Sequence, residues 1–180
     1  PTNQLVQGAS KMATGDFNFK IDIDSRDEIG TLADSMRSMQ TAVQAMIADA
    51  NMLVTAAVAG KLETRADAVK HHGDFQTIVA GVNKTLDAVI GPLNVAAQYV
   101  DDISRGNIPA KITDSYNGDF NTLKNNLNTC IEAVNALVSD AAMLTKAAVD
   151  GKLATRADAS RHQGDFRKVV QGVNDTLDAV

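Results

Sequence analysis

Aromatic residues are scarce in this chain: they make up 4% of its 180 residues, and tryptophan is missing altogether. Large rings supply much of the buried area of an ordinary globular core, so a broad core of that kind is not expected. Ala, Val, Leu and Met provide most of the 44% apolar content, which suits narrow seams between helices. A single cysteine, Cys130, excludes an internal disulfide and fits a reducing compartment. The net charge of −5 leaves no strongly basic surface and argues against nucleic-acid binding. No unbroken run of about 18 apolar residues exists, so no membrane-spanning segment is expected. Glycine-rich phosphate loops and zinc-ligand spacings are absent too, and no cofactor, metal or small-molecule ligand is expected. There is no initiator methionine and no signal peptide. Pro1 opens in mid-pattern and Val180 stops inside a helical pattern, so the chain reads as a piece of something longer.

What is present is repetition. Gly60 to Phe75 reads Gly-Lys-Leu-Glu-Thr-Arg-Ala-Asp-Ala-Val-Lys-His-His-Gly-Asp-Phe and returns almost unchanged from Gly151 to Phe166. Weaker copies run from Gly15 to Ile29 and from Gly106 to Phe120. Helical patterning leads into and out of each copy, so each is a connector between two helices. Four units follow: 1–46, 47–90, 91–137 and 138–180. Repeats of this period mean stacked modules that share a core. The odd connectors are one residue shorter than the even ones, and Pro1 and Pro92 open the odd modules only. The even modules match at about 28 of 43 positions, which points to duplication of a two-module unit. Their offset of about 91 residues is 13 heptads, so a helical seam keeps its register.

The seams are regular. Ile29, Met36, Val43, Ala50 and Ala57 form one row, and Leu32, Met39, Met46 and Leu53 the other. This 3-4 spacing over four heptads predicts a single helix over residues 28–59. Phe120, Leu127, Val134, Ala141 and Ala148, with Leu123, Cys130, Leu137 and Leu144, predict another over 119–150. The helix over 74–105 is expected to weaken or bend at Gly91-Pro92. Thr85 and Thr176 interrupt the seams of the even modules, either as packing defects that ease switching or as tolerated polar residues.

Connector length sets the direction of the helices. A tight helical hairpin needs about 2–8 residues, and these connectors are longer. A helix of about 14 residues is about 21 Å long, whereas about twelve extended residues reach about 40 Å. Each connector can therefore run back along the first helix and start the second parallel to it. Apolar residues two and six positions after each glycine (Phe17 and Ile21, Leu62 and Ala66, Ile108 and Ile112, Leu153 and Ala157) would pack on the helices during the return. One such pair has too little apolar surface to fold alone. The expected fold class is therefore all-α: tandem parallel four-helix bundles formed by a homodimer, coiled-coil-like and stacked end to end, in a rod on the order of 90–100 Å long.

These residues also carry a family resemblance. A proline-led helix, a glycine, apolar residues two and six positions later, and Asp-Glu-x-Gly opening a second helix is the pattern of HAMP domains. Pro1, Gly15, Phe17, Ile21, Asp27, Glu28 and Gly30 fit it. The stretch from Pro92 to Leu137 is similar to the HAMP arrays of bacterial chemoreceptors. In the other three modules Gly-Asp-Phe replaces Asp-Glu-x-Gly, and modules two and four lack the proline. The resemblance implies a parallel dimer on the cytoplasmic side of a bacterial inner membrane. Such a dimer carries no catalysis and passes conformational signals from a transmembrane sensor to a cytoplasmic output domain of the same chain. A methyl-accepting chemotaxis protein is the leading context, and a sensor histidine kinase is the variant. From another class, an antiparallel helical ligand-binding sensor is the rival, and a passive coiled-coil spacer a third reading.

The positions expected to matter for structure or signalling are Pro1, Gly15, Glu28, Gly60, Asp74, Pro92, Gly106, Asp119, Gly151 and Asp165. The glycines end first helices in a left-handed conformation, and the acids open second helices as caps or first-turn charges. His71, His72 and His162 are expected to be solvated connector residues. Asp101-Asp102 is expected to be a polar helix face or cap, and Cys130 a buried apolar residue of the seam.

Overall fold

The computed structural model describes residues 2–179; Pro1 and Val180, and with them the expected proline lead of the first module, lie outside the described residues. Among those residues the chain is all-helical, with no strand. The helices are α1 (Thr2–Ala13), α2 (Glu28–Val58), α3 (Gly73–Ser104), α4 (Gly118–Val149) and α5 (Gly164–Asp178), and two 3-10 turns lie at Ala68–Lys70 and Ala159–Arg161. The chain divides into two compact units, Pro1–Ile90 and Gly91–Val180.

The long helices follow the unbroken seams. α2 runs for 31 residues and α4 for 32, with no interruption at residues 47–51 or 138–142. α3 is also continuous, with Pro92 inside it, so the weakening expected there is not a break. Proline cannot donate to the Ala88 carbonyl, but one missing bond in a helix of 32 residues leaves the neighbouring turns bonded. By length and composition α2 is apolar enough to cross a membrane, although its apolar residues never form an unbroken run. Its polar side chains are used within the first unit, where Arg37, Gln40, Gln44 and Asp49 all bind connector groups.

In the first unit the core collects Leu5 and Met12 from α1, Ile21 and Ile23 from the connector, and Ala33 and Met36 from α2, with Phe17, Phe19 and Ile29 packed against it. The contacts fix the direction of the chain. Ser25 lies against Gly30, Arg37 donates to the carbonyls of Ile21 and Ile23, and Gln40 and Gln44 donate to that of Phe17. The connector thus descends antiparallel to α2. Gly8 of α1 lies level with Met36, so α1 and α2 are parallel. The same descent recurs where Ala66 meets Asn83 and Arg65 meets Asp87, where Ile112 meets Asn128 and Lys111 meets Glu132, and where Ala157 meets Asn174 and Arg156 meets Asp178. An antiparallel helix pair within a module is incompatible with these contacts.

The apolar rows are only partly covered by their own chain. Leu32, Met39 and Ile78 are 49%, 47% and 50% exposed. Cys130 is exposed as well, contrary to the buried role expected for it, because the seam it belongs to has no second helix pair against it in the single chain.

Second helices start in two ways. In the first module Asp27 is the N-cap: its Oδ1 accepts from the amides of Ile29 and Gly30, both at 3.0 Å. The Ser25 hydroxyl and these amides hold the Asp27 carboxyl below its ordinary value of 3.8. A Cβ built on Gly30 would sit 1.8 Å from the Ser25 carbonyl oxygen, so the glycine of Asp-Glu-x-Gly is there to let the connector backbone in. In the other three modules Gly73, Gly118 and Gly164 take φ of 58°, 54° and 54°. Their left-handed backbone turns the chain into the helix, a conformation that L side chains resist.

Two predictions follow from the first start. Gly30→Ala must push the Ser25 carbonyl away, and urea denaturation is expected to show a loss of about 1–3 kcal/mol. Asp27→Ala is expected to melt at a lower temperature than the parent at neutral pH. Since the folded carboxyl titrates below its unfolded value, the cap's contribution is complete above about pH 3.8 and disappears as the pH falls through the lower folded value. Melting curves of the two proteins should therefore converge on acidification through that window.

Candidate functional site

A connector without regular structure leaves its backbone N–H and C=O groups in need of partners. The site of interest is the set of side chains that supply them, because these fasten the connector to the two helices it joins. At its first end each connector closes its helix identically. Gly15, Gly60, Gly106 and Gly151 have φ of 84°, 72°, 77° and 74°. In each case the glycine amide bonds the carbonyl three residues back, and the next amide bonds the one five back: Gly60 to Ala57 at 3.0 Å and Lys61 to Ala56 at 2.8 Å, for example. This is the Schellman arrangement, with all four glycines in the left-handed conformation.

In the middle, the residue six positions after the glycine is buried in every module: Ile21, Ala66, Ile112 and Ala157. Three of them are held by an asparagine of the second helix through both backbone groups. Asn83 accepts from the Ala66 amide at 3.0 Å and donates to its carbonyl at 2.7 Å. Asn128 does the same for Ile112 at 2.8 and 3.0 Å, and Asn174 for Ala157 at 3.0 and 2.8 Å. The separation is 17 residues in the even modules and 16 in the third. In the first module Arg37, also 16 residues on, donates to the Ile21 carbonyl. The apolar residue two positions after the glycine behaves less uniformly. Phe17 and Ile108 are half-buried, whereas Leu62 and Leu153 are 41% and 59% exposed, so the expected packing of that residue holds in the odd modules only.

The even connectors carry three further fastenings. Arg65 donates to the carbonyls of Leu62 and Thr64 and pairs with Asp87 at 2.7 Å; Arg156 repeats this with Leu153, Thr155 and Asp178. The extra residue of these connectors is taken up by a 3-10 turn capped by Asp67 in one copy and Asp158 in the other. The Ser160 hydroxyl and amide hold the Asp158 carboxyl below its ordinary value. At the end of each turn a histidine reaches the first helix. His71 Nε2 lies 2.7 Å from Asp49 Oδ2, and His162 Nε2 lies 2.6 Å from Asp140 Oδ2. The rings are 4% and 3% exposed as residues, so the expectation of solvated histidines is corrected for these two. A short turn points each ring inward at an acid on the facing helix. His72 is exposed, as expected of all three.

The remaining expected positions fall into line less tightly. Glu28, Asp74, Asp119 and Asp165 are first-turn acids, where the helix dipole favours negative charge, and none of them is the N-cap. The N-caps of α4 and α5, Asn117 and Gln163, make no side-chain cap bond. Asp101 is bound by Arg105 and Asp102 by Gln98 near the end of α3. Among the described residues no three His, Cys, Asp or Glu side chains gather as a metal site. The Asn clamps and His–Asp pairs escaped the reading of spacing. The signal for them was the identity of Asp49, His71 and Asn83 with Asp140, His162 and Asn174 between the two even copies.

Two family profiles, each described as HAMP domain, match the chain. One covers residues 1–45, and the other covers residues 70–136 and 161–180. No solved structure matches it.

The clamps predict a ranked cost. Asn174→Ala orphans the buried amide and carbonyl of Ala157 and is expected to destabilise by about 1–3 kcal/mol, read by thermal or urea unfolding. Asn83→Ala, at a half-buried site, should lose less. Asn174→Asp keeps the acceptor but not the donor, and should fall between Asn174→Ala and the parent.

Proposed function

The chain is a HAMP-domain protein, and from that premise we propose that it relays conformational change from a transmembrane sensor to a cytoplasmic output domain, as four HAMP modules in series within a methyl-accepting chemotaxis protein. In this reading it is no enzyme and takes no cofactor, and it acts at the cytoplasmic face of a bacterial inner membrane. It acts as a homodimer whose four helices per module form a parallel bundle.

The observation that carries the reading is the strapping of each helix pair. A connector pinned to the second helix at its buried residue makes the two helices of a module mechanically dependent on each other, and that is what a relay requires. The dimer is supported by the open apolar rows on α2 and α3 and by a groove of about 370 Å3 on the second unit, lined by Leu137, Ala141, Leu144, Val169 and Val173. Leaving such a stripe in water is unfavourable by about 25 cal/mol per Å2. A second copy presents the same stripe in register, and isologous pairing closes the contact at two chains.

The relay is tested by splicing the chain between a chemoreceptor sensor and its output, then deleting residues 1–90 or 91–180. The full chain is expected to transmit the stimulus with one sign, and a change in the sign or size of the response on deletion supports transmission through the modules. An output indifferent to both deletions and to the stimulus overturns it. Cys130 tests the dimer. Light scattering at micromolar concentration should give twice the chain mass, and mild oxidation should give a Cys130–Cys130 dimer that Cys130→Ser abolishes. A monomer rejects the bundle. If an oxidant links a cysteine placed at Leu127 but not Cys130, then Cys130 faces away from the two-fold axis.

A further inference from the structure

The His–Asp pairs divide the four modules into two mechanical kinds. In the even modules the connector is fastened on both sides. Asn83 and Arg65 with Asp87 tie it to the second helix, and His71 with Asp49 ties it to the first; Asn174, Arg156 with Asp178, and His162 with Asp140 repeat the set. Asp140 also has Arg161 at 3.4 Å. In the odd modules the positions corresponding to Asp49 and Asp140 hold Gln4, which is exposed, and Val95. Beyond the cap bonds at Gly15 and Gly106, no hydrogen bond joins an odd connector to its first helix among the described residues. In the first module they are joined by Phe19 packed against Gly8 and by the Lys11 ammonium over the Phe19 ring, with no buried polar pair.

Apolar surfaces tolerate axial displacement, because their attraction is non-directional. A hydrogen bond to a buried histidine ring does not, because it weakens steeply with distance and angle and leaves a desolvated ring nitrogen when broken. The structure assigns the two pairs a function on this ground. We propose that His71–Asp49 and His162–Asp140 are latches that lock the first helix of each even module to its connector, and through the Asn clamp to its second helix. The even modules then move as rigid bodies, and the odd modules are where the two helices slide. The inference rests on the relay reading only for what such sliding would transmit.

The chain holds its own control. The amides of Ala66, Ile112 and Ala157 all donate to a clamp asparagine, at 3.0, 2.8 and 3.0 Å, but only the connectors of Ala66 and Ala157 are latched. Native-state hydrogen exchange, corrected for intrinsic rates and followed by NMR on the whole chain, should find these two amides exchanging about tenfold more slowly than Ile112. Asp49→Ala should raise the Ala66 rate to that of Ile112 and leave Ala157 unchanged, and Asp140→Ala should do the converse. Asp49→Asn keeps an acceptor for Nε2 and should lie between. Equal protection of the three amides in the parent overturns the proposal without any variant, as does an Ala66 rate that ignores Asp49→Ala. Should the alanine variants unfold, the parent comparison still decides. A relay that fails in the spliced receptor leaves these rates untouched, so the two readings fail separately.

Discussion

Everything in this structure depends on finding partners for the backbone of four extended connectors. A strand would be paired by its neighbour and a helix by itself, but a single extended segment lying on a helix has neither. The second helix answers with side chains that mimic a backbone, an asparagine amide offering one acceptor and one donor to one residue. In the even connectors an arginine takes two further carbonyls, Arg65 those of Leu62 and Thr64 and Arg156 those of Leu153 and Thr155. The connector is thereby pinned at one register on that helix, and its apolar residue six positions after the glycine is delivered into the seam. Parallel helices, a shared core and a strap between them are consequences of that one solution.

The same need is met differently around the repeat. The first module uses Arg37, Gln40 and Gln44 in place of asparagine and opens its second helix with a capped, glycine-dependent approach of the Ser25 carbonyl. The other three turn into the helix through a left-handed glycine. By helix start, module one stands apart; by clamp offset, odd separates from even; by the His–Asp pairs, the even modules stand apart. The shorter odd connectors have no room for the 3-10 turn that aims the histidine, so connector length and latch are one feature seen at two levels.

The open apolar rows give this chain a second dependence. Surface ion pairs such as Lys168 with Asp165 contribute little to stability, and the core cluster of the first unit, at Leu5, Met12, Ile21, Ile23, Ala33 and Met36, is small. Large apolar side chains on α2, α3 and α5 are exposed, among them Leu32, Met39, Ile78, Val82, Val169 and Val173, which is why the assembly is part of the proposal.

By itself the sequence determined what depends on local periodicity and on residues with special backbones. Heptad rows placed α2 and α4 as unbroken helices, left-handed glycines ended the first helices, and connector length chose parallel over antiparallel, because chain reach is set by bond geometry. The all-α class and the buried residue six positions after each glycine were legible for the same reason. Only the tertiary structure decided which polar side chains are used. His71 and Asp49 are 22 residues apart, and Asn83 and Ala66 are 17 apart, so they meet only once the connector has folded back. Whether a histidine there is solvated or 4% exposed is a matter of which way a short turn aims it, and no hydrophobic pattern carries that information. Pro92 lies inside α3, which continues through it because the turns on either side remain bonded.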